Sequence, residues 1–315
     1  MLLTRMLKVL LLAALLALGA ALVTYWAAPA TFLRGAVATE RWGAGLSRKE
    51  IQIPGFRVAY LDSGGGGAPL VLVHGFGGEK DNWVRVARTL RPQLRVIALD
   101  LPGYGESDAP ANGSYTIADQ VERLRAFIAA LGLTHVDLGG HSMGGNIVAT
   151  YAAAYPNEVG SLWLIANSGV GNAPPSELRQ RIAATGSNAL VPATPEEFRQ
   201  MMTWVMARPP YLPDRLVEVL AQRAVAVHEL RTRQFAQLIR EASTLDRRIN
   251  GLPIPTHVLW GELDRAVHVD SVNSLMGWLP HSDRTLMPNI GHVPMLEAPQ
   301  ETARDYLAFR KHYRL

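Results

Sequence analysis

Two hydrophobic patterns divide this chain. An unbroken apolar stretch occupies residues 9–23, whereas from Ile51 onward short apolar runs alternate with segments whose apolar residues recur every three or four positions. Several short runs, such as 71–73 and 96–99, are apolar on both faces, which is typical of central strands in a parallel sheet. The alternation of such strands with amphipathic helices predicts an α/β protein with a doubly wound sheet.

The predicted elements after Ile51 follow a strand–helix order. Strand-like runs fall at residues 56–62, 69–75, 95–103, 135–142, 161–169, 256–261 and 284–288. Amphipathic helices are predicted over 117–131 and 146–154, and a last helix over 297–312. The glycines at 64–67 predict a tight turn between two strands.

The alternation stops between residues 172 and 246, where the pattern is helical and punctuated by proline. A helical insertion between two strands of such a sheet predicts a cap over the strand ends. Residues 194–197 (Thr-Pro-Glu-Glu) form a well-defined helix start. The helix that follows carries an apolar stripe: Phe198, Met201, Met202, Val205 and Met206. This stripe either packs the cap onto the body or lines an acyl-chain channel, in which case Phe198, Met202 and Met206 contact substrate.

The N-terminal stretch is long enough to cross a membrane. About 20 residues without a charge, 9–28, match a bilayer core roughly 30 Å thick. Arg5 and Lys8 before it suit a cytoplasmic flank, and the aromatic pair at 25–26 suits the interface. A cleaved signal peptide with a processing site at 28–30 is the alternative. Both place the rest of the chain outside the cytoplasm, on the periplasmic side if the source is bacterial, either anchored or secreted.

Basic residues after this stretch weaken the positive-inside bias, namely Arg34, Arg41, Arg48 and Lys49.

Composition narrows the function classes. The 315 residues contain no cysteine, which excludes disulfides, a thiol nucleophile and cysteine-ligated metals. The formal net charge of +4 is small, and Arg5 and Lys8 supply part of it, so no nucleic-acid footprint is expected. The length suits one globular unit with an insertion.

A candidate nucleophile lies in Gly140-His141-Ser142-Met143-Gly144, which follows the strand-like 136–138 and precedes a helix. A serine on a sharp strand-to-helix turn needs strained backbone angles, and glycines two residues away on either side let the strand and the helix approach closely. This pattern predicts that Ser142 is the nucleophile of an acyl-transfer reaction.

A glycine-rich loop at 74–78 directly follows the strand at 70–73. Such a loop can offer a backbone N–H to a developing oxyanion, and we predict the N–H groups of Phe76 and Met143 as the two donors. The alternative is a phosphate-binding loop, but no Gly-Lys-Ser/Thr follows and the spacing does not match GxGxxG.

A general base and an acid complete the predicted constellation. His292 lies in a loop between the last predicted strand and the last helix, where the chain order Ser, acid, His requires the base. Asp264 follows the strand at 256–260 and is the predicted acid, with Glu262 and Asp270 as alternatives.

Three other polar residues of these turns are predicted to act elsewhere. His74 and His141 lie beside the oxyanion loop and the nucleophile, but we do not expect either to be the base. Asp100 is expected to brace its own turn by hydrogen bonding. The sequence contains no metal-binding histidine pair and no dinucleotide fingerprint, so the chemistry needs no cofactor and no metal.

Taken together, these motifs resemble the α/β-hydrolase fold superfamily from about Ile51 to the end of the chain. The resemblance is carried by residues 74–78, 100–107, 140–145, 260–264 and 291–292. It implies a mostly parallel eight-stranded sheet flanked by helices, with a helical cap. Haloalkane dehalogenases and epoxide hydrolases of this superfamily carry aspartate at the position of Ser142, which argues against both.

The chain is more closely similar to the membrane-anchored monoacylglycerol lipases of this fold and their bacterial lipase relatives. That similarity is carried by the N-terminal span and by residues 75–76, 80–83, 142–145 and 193–198. It implies a triad of Ser142, Asp264 and His292 and a single-chain lipid ester as substrate. Much of 208–246 differs from those lipases, which leaves the acyl length and head group open.

The predicted organisation has four parts: an anchor or signal at 1–28, a connector at 29–50, an α/β-hydrolase core at 51–171 and 247–315, and a cap at 172–246. The predicted function is ester hydrolysis through an acyl-enzyme, with the membrane and a lipid ester as partners. A C–C bond hydrolase of ring-cleavage dienoates, a small-ester or thioester hydrolase, and a non-catalytic binding member of the fold are the alternatives.

Overall fold

The computed structural model of the chain describes residues 2–241 and 245–315. Met1, at the start of the predicted anchor, and residues 242–244, within the predicted cap, lie outside the described residues.

One eight-stranded sheet organises the described residues. Its strands are β1 (Ser47–Ile53), β2 (Phe56–Asp62), β3 (Ala68–Val73), β4 (Leu94–Leu99), β5 (Val136–His141), β6 (Val159–Ile165), β7 (Thr256–Gly261) and β8 (Ser282–Met287). The spatial order is β1-β2-β4-β3-β5-β6-β7-β8. β2 runs antiparallel to both β1 and β4, and all other neighbours are parallel. The predicted mostly parallel sheet is therefore confirmed.

The central strands are buried because helices cover both faces of the sheet. In β3 the last four residues are buried, and β5 and β7 are buried along their whole length. This burial accounts for apolar runs without alternation, since a strand covered on both sides has no polar face. Because β3, β5 and β7 run in the same direction, their carboxyl ends meet at one edge of the sheet, where their loops can form a site.

Helices surround the sheet. They are α1 (Leu2–Ala27), α2 (Pro29–Gly43), α3 (Val84–Leu90), α4 (Ile117–Ala130), α5 (Met143–Ala154), α6 (Glu177–Thr185), α7 (Pro195–Val205), α8 (Asp214–Ala226), α9 (His228–Glu241), α10 (Leu245–Ile249), α11 (Ser271–Trp278), α12 (Pro294–Glu297) and α13 (Pro299–Tyr313). Short 3₁₀ turns occur at Lys80–Trp83 and Pro156–Glu158. The helices predicted over 117–131 and 146–154 are confirmed as α4 and α5.

The region between β6 and β7 contains α6 to α10 and no strand within its described residues. The helix start predicted at 194–197 is confirmed, since the Thr194 side chain accepts a hydrogen bond from the Glu197 N–H. Glu197 reaches back to the N–H of Ala193 rather than to that of Thr194.

The residues predicted as a connector, 29–50, form α2 and the first part of β1. Pro29 ends α1 but also occupies the first turn of α2, where a missing N–H costs nothing. The segment after α2 forms β1, an edge strand with mostly exposed side chains. α1 contains a 23-residue stretch, Arg5–Ala27, that is long and apolar enough to cross a membrane and has no buried residue.

Candidate active site

Ser142 lies at the turn between β5 and α5. Its backbone has φ 53° and ψ −114°, a conformation that L-residues rarely adopt. Gly140 and Gly144 make this turn possible. A Cβ at Gly140 would lie 2.3 Å from the carbonyl oxygen of Gly144, and one at Gly144 would lie 2.3 Å from that of Val73. The two glycines therefore fulfil the role that the sequence pattern predicts for them.

His292 and Asp264 come together beyond the carboxyl end of β7. The imidazole Nδ1 lies 2.8 Å from Oδ2 of Asp264, whose side chain is fully buried. The other carboxylate oxygen, Oδ1, accepts hydrogen bonds from the N–H groups of Ala266 and Val267 at 2.8 and 3.0 Å. The two backbone donors fix the Asp264 carboxylate, and its Oδ2 then accepts a hydrogen bond from Nδ1 of His292. This contact places the imidazole proton on Nδ1.

The loops that carry these two residues pack tightly against each other. A Cβ at Gly261 would lie 2.1 Å from the carbonyl oxygen of Gly291, so only glycine fits where β7 passes the histidine loop. Of the three candidate acids, the structure brings Asp264 to His292. The Glu262 side chain is exposed, and Asp270 lies 3.7 Å from His268 instead.

His141 connects the Ser142 turn to the His292 loop. Its Nε2–H donates to the His292 carbonyl oxygen at 2.8 Å, and the two ring centroids are 4.7 Å apart. Burial, together with the nearby His292, holds the pKa of His141 well below its usual range. A neutral imidazole that donates to a backbone carbonyl holds the two loops together, and this structural role agrees with the expectation that His141 is not the base.

His74 has a comparable structural role below the oxyanion loop. Its Nδ1–H donates to the Gly75 carbonyl at 2.8 Å, and its Nε2 accepts from the Leu101 N–H at 3.1 Å. Burial lowers the pKa of His74 to about 4. Both ring nitrogens are occupied, so the ring fixes the geometry of the loop after β3.

The predicted oxyanion donors, Phe76 and Met143, lie on adjacent turns. Met143 is the first residue of α5, where a helix leaves its N–H groups without an internal acceptor. Within residues 2–241 and 245–315, the N–H of neither residue donates to another protein group. Tyr104 contacts both side chains: its ring centroid lies 6.3 Å from that of Phe76, and its hydroxyl donates to Met143 Sδ at 3.5 Å.

Asp100 braces its turn as predicted. Its carboxylate accepts hydrogen bonds from the N–H groups of Lys80 and Glu106 at 2.6 and 2.8 Å. It also forms a buried ion pair with Lys80 Nζ at 2.8 Å. Burial by itself raises the pKa of Glu106, but its hydrogen bonds with Lys80 and Arg48 outweigh this effect and lower it to about 2.

The cap residues predicted to contact substrate lie on α7 and, for Met206, at its C-terminal end. Phe198 and Met206 are buried, with 7% and 3% of their surfaces exposed, and Met202 is half-buried against the core. Met206 also caps the helix through its N–H to the Met202 carbonyl. These contacts fit the packing role, and contact with an acyl chain stays a prediction.

Sequence reasoning missed one polar residue of the site, Glu297. Its carboxylate lies under the loop that carries His292 and accepts hydrogen bonds from the backbone N–H groups of Gly291 and Val293. Nothing in the local sequence indicates this contact, because the predicted helix over 297–312 makes Glu297 a first-turn residue. In the structure a short helix, α12, ends at Glu297, and α13 begins at Pro299.

The sequence matches the family model described as alpha/beta hydrolase fold over residues 68–299. Among curated proteins, Lipase 1 of Psychrobacter immobilis is 38% identical over 260 residues, which cover 81% of each chain. The monoacylglycerol lipase ABHD6 of Rattus norvegicus is 30% identical over 76% of this chain and 75% of its own length.

Among solved structures, a membrane phospholipase A described as a bacterial virulence factor superposes with a TM-score of 0.90 at 40% identity. The match covers 98% of this chain and 99% of that one, so it includes the N-terminal helices. A meta-cleavage product hydrolase from Pseudomonas fluorescens has a TM-score of 0.72 at 23% identity, covering 84% of this chain and 98% of its own, which indicates a shared fold alone.

Proposed function

The chain belongs to the alpha/beta hydrolase family and is a lipase, a carboxylic ester hydrolase, and on this basis we propose that it cleaves a single-chain lipid ester such as a monoacylglycerol. The sequence relatives include both bacterial lipases and monoacylglycerol lipases. The proposal names a substrate class and assigns roles to individual residues, which the family alone does not specify.

The proposed mechanism is acyl transfer to water through an acyl-enzyme. The Ser142 hydroxyl attacks the ester carbonyl while Nε2 of His292 takes its proton and then passes it to the leaving alcohol. Asp264 keeps the proton on Nδ1 of His292 and stabilises the imidazolium. His292 next removes a proton from water, the water oxygen attacks the acyl carbon, and the proton returns to Ser142 as the acid leaves.

The N–H groups of Phe76 and Met143 are proposed to bind the oxyanion of both tetrahedral intermediates. Their hydrogen atoms are not committed to other protein groups among the described residues, which leaves them free for a reacting oxygen. His74 and the buried Lys80–Asp100 pair brace the loop after β3 that carries Phe76, which favours a donor that needs no rearrangement during the reaction.

The observation that carries this proposal is the 2.8 Å contact between His292 and Asp264, next to a serine held at positive φ. The experiment is labelling with a fluorophosphonate probe followed by a panel of lipid esters. The wild-type protein should be labelled at Ser142 and should turn over monoacylglycerols. A protein that is not labelled would instead be a non-catalytic member of the fold.

Phospholipids are the second candidate substrate. The observation that favours them is the 98% coverage and 40% identity with the membrane phospholipase A, which extends through the N-terminal helices. The same panel should therefore contain a phospholipid and its lysophospholipid, each with the acyl chain of the monoacylglycerol. A higher kcat/KM for the phospholipids would assign the enzyme to this second class.

The ring-cleavage dienoates remain the substrate of the alternative C–C bond hydrolase. Solved structures of ring-cleavage product hydrolases are 21–23% identical to this chain. This level of identity supports a shared fold and does not indicate a shared substrate. Turnover of a dienoate in preference to every ester of the panel would favour this alternative.

The membrane is the proposed location of the enzyme. The N-terminal apolar helix can serve as an anchor or as a signal sequence, and its 23-residue apolar stretch has no buried residue in the folded chain. We propose that it is retained as an anchor and holds the catalytic part on the outer side of the cytoplasmic membrane. Fractionation of cells that carry a C-terminally tagged chain, with protease protection, tests both points.

A further inference from the structure

Glu297 is a buried carboxylate whose hydrogen bonds, among the described residues, all come from backbone N–H groups. Its two oxygens lie 3.1 and 2.9 Å from the N–H of Gly291, 3.1 Å from that of Val293 and 2.9 Å from that of Arg208. The residue is 9% exposed, and among the described residues no cation lies within ion-pair distance of it. Its charge is therefore stabilised by three backbone donors alone.

These donors surround His292. Gly291 and Val293 are its two neighbours in the chain, so Glu297 fixes the backbone immediately before and immediately after the imidazole. The His292 N–H itself donates to the Val205 carbonyl at 2.8 Å. The loop is thus held both by Glu297 and by the end of α7.

The third donor belongs to the region that follows α7. Arg208 is three residues beyond the end of that helix, and its N–H shares the carboxylate with Gly291. The space between these segments is filled: a Cβ at Gly291 would lie 2.7 Å from the Ala207 nitrogen and 2.8 Å from the Val205 oxygen. A change in the carboxylate must consequently move either the histidine loop or the end of α7.

We propose that Glu297 is a positioning residue that holds His292 in its reactive orientation and ties the histidine loop to α7. The inference rests on the proposed function, because it acts through the general base. Glutamine at this position would offer one acceptor oxygen, and its NH₂ group would face a backbone donor. The loop would lose part of its support while the fold keeps its hydrophobic core.

The first experiment compares Glu297→Gln with Glu301→Gln, an exposed acid in the first turn of α13. Glu297→Gln should lower kcat on a soluble short-chain ester by about tenfold to a hundredfold, since a displacement near 1 Å can cost that much. Its KM should stay within about twofold, because binding contacts are unchanged. Glu297→Asp, which keeps the charge on a shorter side chain, should have a kcat between those of Glu297→Gln and the wild type. The kcat of Glu301→Gln should equal that of the wild type.

The decisive experiment repeats Glu297→Gln in a His292→Ala background. A residue that acts through His292 has nothing left to position there, so the double variant should have the same residual activity as His292→Ala within about twofold. An additional tenfold loss in that background would overturn the inference, as would wild-type kcat in the single variant.

Melting temperatures separate positioning from unfolding. If Glu297→Gln melts below the assay temperature, Glu297→Asp is used in the same cycle, with the same outcomes. The failure of the inference also differs from the failure of the proposed function. Full activity in His292→Ala would reject the triad itself, whereas inactive His292→Ala with fully active Glu297→Gln and Glu297→Asp would reject only the role of Glu297.

Discussion

The backbone of Ser142 stores strain that the surrounding residues maintain. A non-glycine residue at φ 53° costs of order 1–3 kcal/mol, and the close contacts at Gly140 and Gly144 leave the turn no room to relax. The strain lifts the side chain out of the strand-to-helix turn. It belongs to the backbone, so replacing the side chain removes the nucleophile without relieving the strain.

We expect Ser142→Ala to lower kcat/KM for esters at least about a thousandfold, leaving what the oxyanion hole and binding supply. The melting temperature should change little, because one hydroxyl is lost and the turn is retained. Ser271→Ala is the matched control, since Ser271 is also buried and its hydroxyl has no partner among the described residues. More than a tenth of wild-type activity in Ser142→Ala would remove this serine from the mechanism.

Asp264→Asn should preserve the fold and cost several orders of magnitude in kcat/KM. An amide at this position favours the wrong tautomer of His292. The same substitution in the triad of serine proteases lowers kcat by about 10⁴-fold. Glu262→Gln, an exposed change two residues away, should cost less than about twofold. Steady-state kinetics on a soluble ester measure both, and the reverse ranking would assign the acid to Glu262.

At this scale the sequence identifies residues whose position along the chain is set by strand ends. Ser142, Asp264 and His292 each follow a predicted strand, so chain order, together with the glycines around Ser142, narrows the choice among many polar residues, although Glu262 and Asp270 follow the same strand as Asp264. Glu297 differs because its partners are backbone N–H groups on another loop and after α7. A contact of this kind leaves no pattern in the residue types nearby.

At the scale of elements, His257 of β7 forms hydrogen bonds with β8 and with α13. His257 is buried, with Nδ1 at 2.5 Å from Asp283 and Nε2 at 2.5 Å from Asp305. Thr285 donates to the other oxygen of Asp305, and the imidazole stacks on Phe309. Burial alone lowers the pKa of His257, but the hydrogen bonds with the two carboxylates outweigh it and raise the pKa above 6.5.

A raised pKa in the folded state means that protonated His257 stabilises the fold. This contribution is complete below the unfolded value near 6.5 and is lost as the pH rises through the folded pKa. The melting temperature of His257→Gln should therefore fall furthest below wild type at pH 6 and approach it by pH 9. Scans of both proteins across that range measure the difference. His135→Gln, which changes an exposed histidine, should show no such trend, and a gap that widened with pH would contradict the assignment.

The apolar stripe of α7 offers a test of the proposed acyl path. Met201 and Met202 are both half-buried against the core, so they are a matched pair. If Met202 contacts the acyl chain, Met202→Gln should lower the ratio of long-chain to butyryl ester turnover by about 15-fold, for roughly two methylenes at about 0.8 kcal/mol each. Met201→Gln should leave the ratio unchanged. Equal losses on all esters, with a lower melting temperature, would indicate that Met202 only packs.

Elements were predictable where their own residues decide the structure. The seven strands from β2 to β8 carry apolar runs long enough to identify, and α7 begins at a recognisable cap. β1 lacks such a run, because three charged residues, Arg48 to Glu50, occupy its centre and its pairing with β2 creates the strand. Pro29 does not by itself show whether a helix follows it, since proline ends one helix and is also favoured at the first position of the next.

On the scale of the whole molecule, α2 joins the apolar N-terminal helix to the body and to α8. Leu33 of α2 packs with Leu216 and Val219 of α8. At its other end, Arg41 pairs with Asp81 at 2.6 Å and with Glu106 at 3.0 Å, next to the buried Lys80. α2 begins after residue 28, so these contacts survive removal of the proposed anchor.

Two contacts to the cap come from α1 itself. Tyr25 packs against the cluster of Leu33, Leu216 and Val219. The Arg215 guanidinium lies 5.0 Å from the Trp26 ring centroid and donates to the Trp26 carbonyl oxygen. Exposed interactions of this type contribute little to stability, about 0.5–1 kcal/mol. Within the described residues, the contacts of α1 with the cap thus lie at its C-terminal end, at Tyr25 and Trp26.

Deleting residues 1–28 should release the protein from membranes and leave kcat/KM for a soluble short-chain ester within about threefold of wild type, because the triad, both proposed oxyanion donors and α2 remain. Arg215→Ala in the full-length chain is the matched control: it removes the Arg215–Trp26 contact between α1 and the cap while the anchor stays in place. Activity on esters embedded in vesicles should fall in the truncated protein and persist in Arg215→Ala. A truncated protein that stays folded but loses short-ester activity, together with an equal loss in Arg215→Ala, would mean that α1 shapes the site through the cap, and the anchor and the catalyst would be one functional unit.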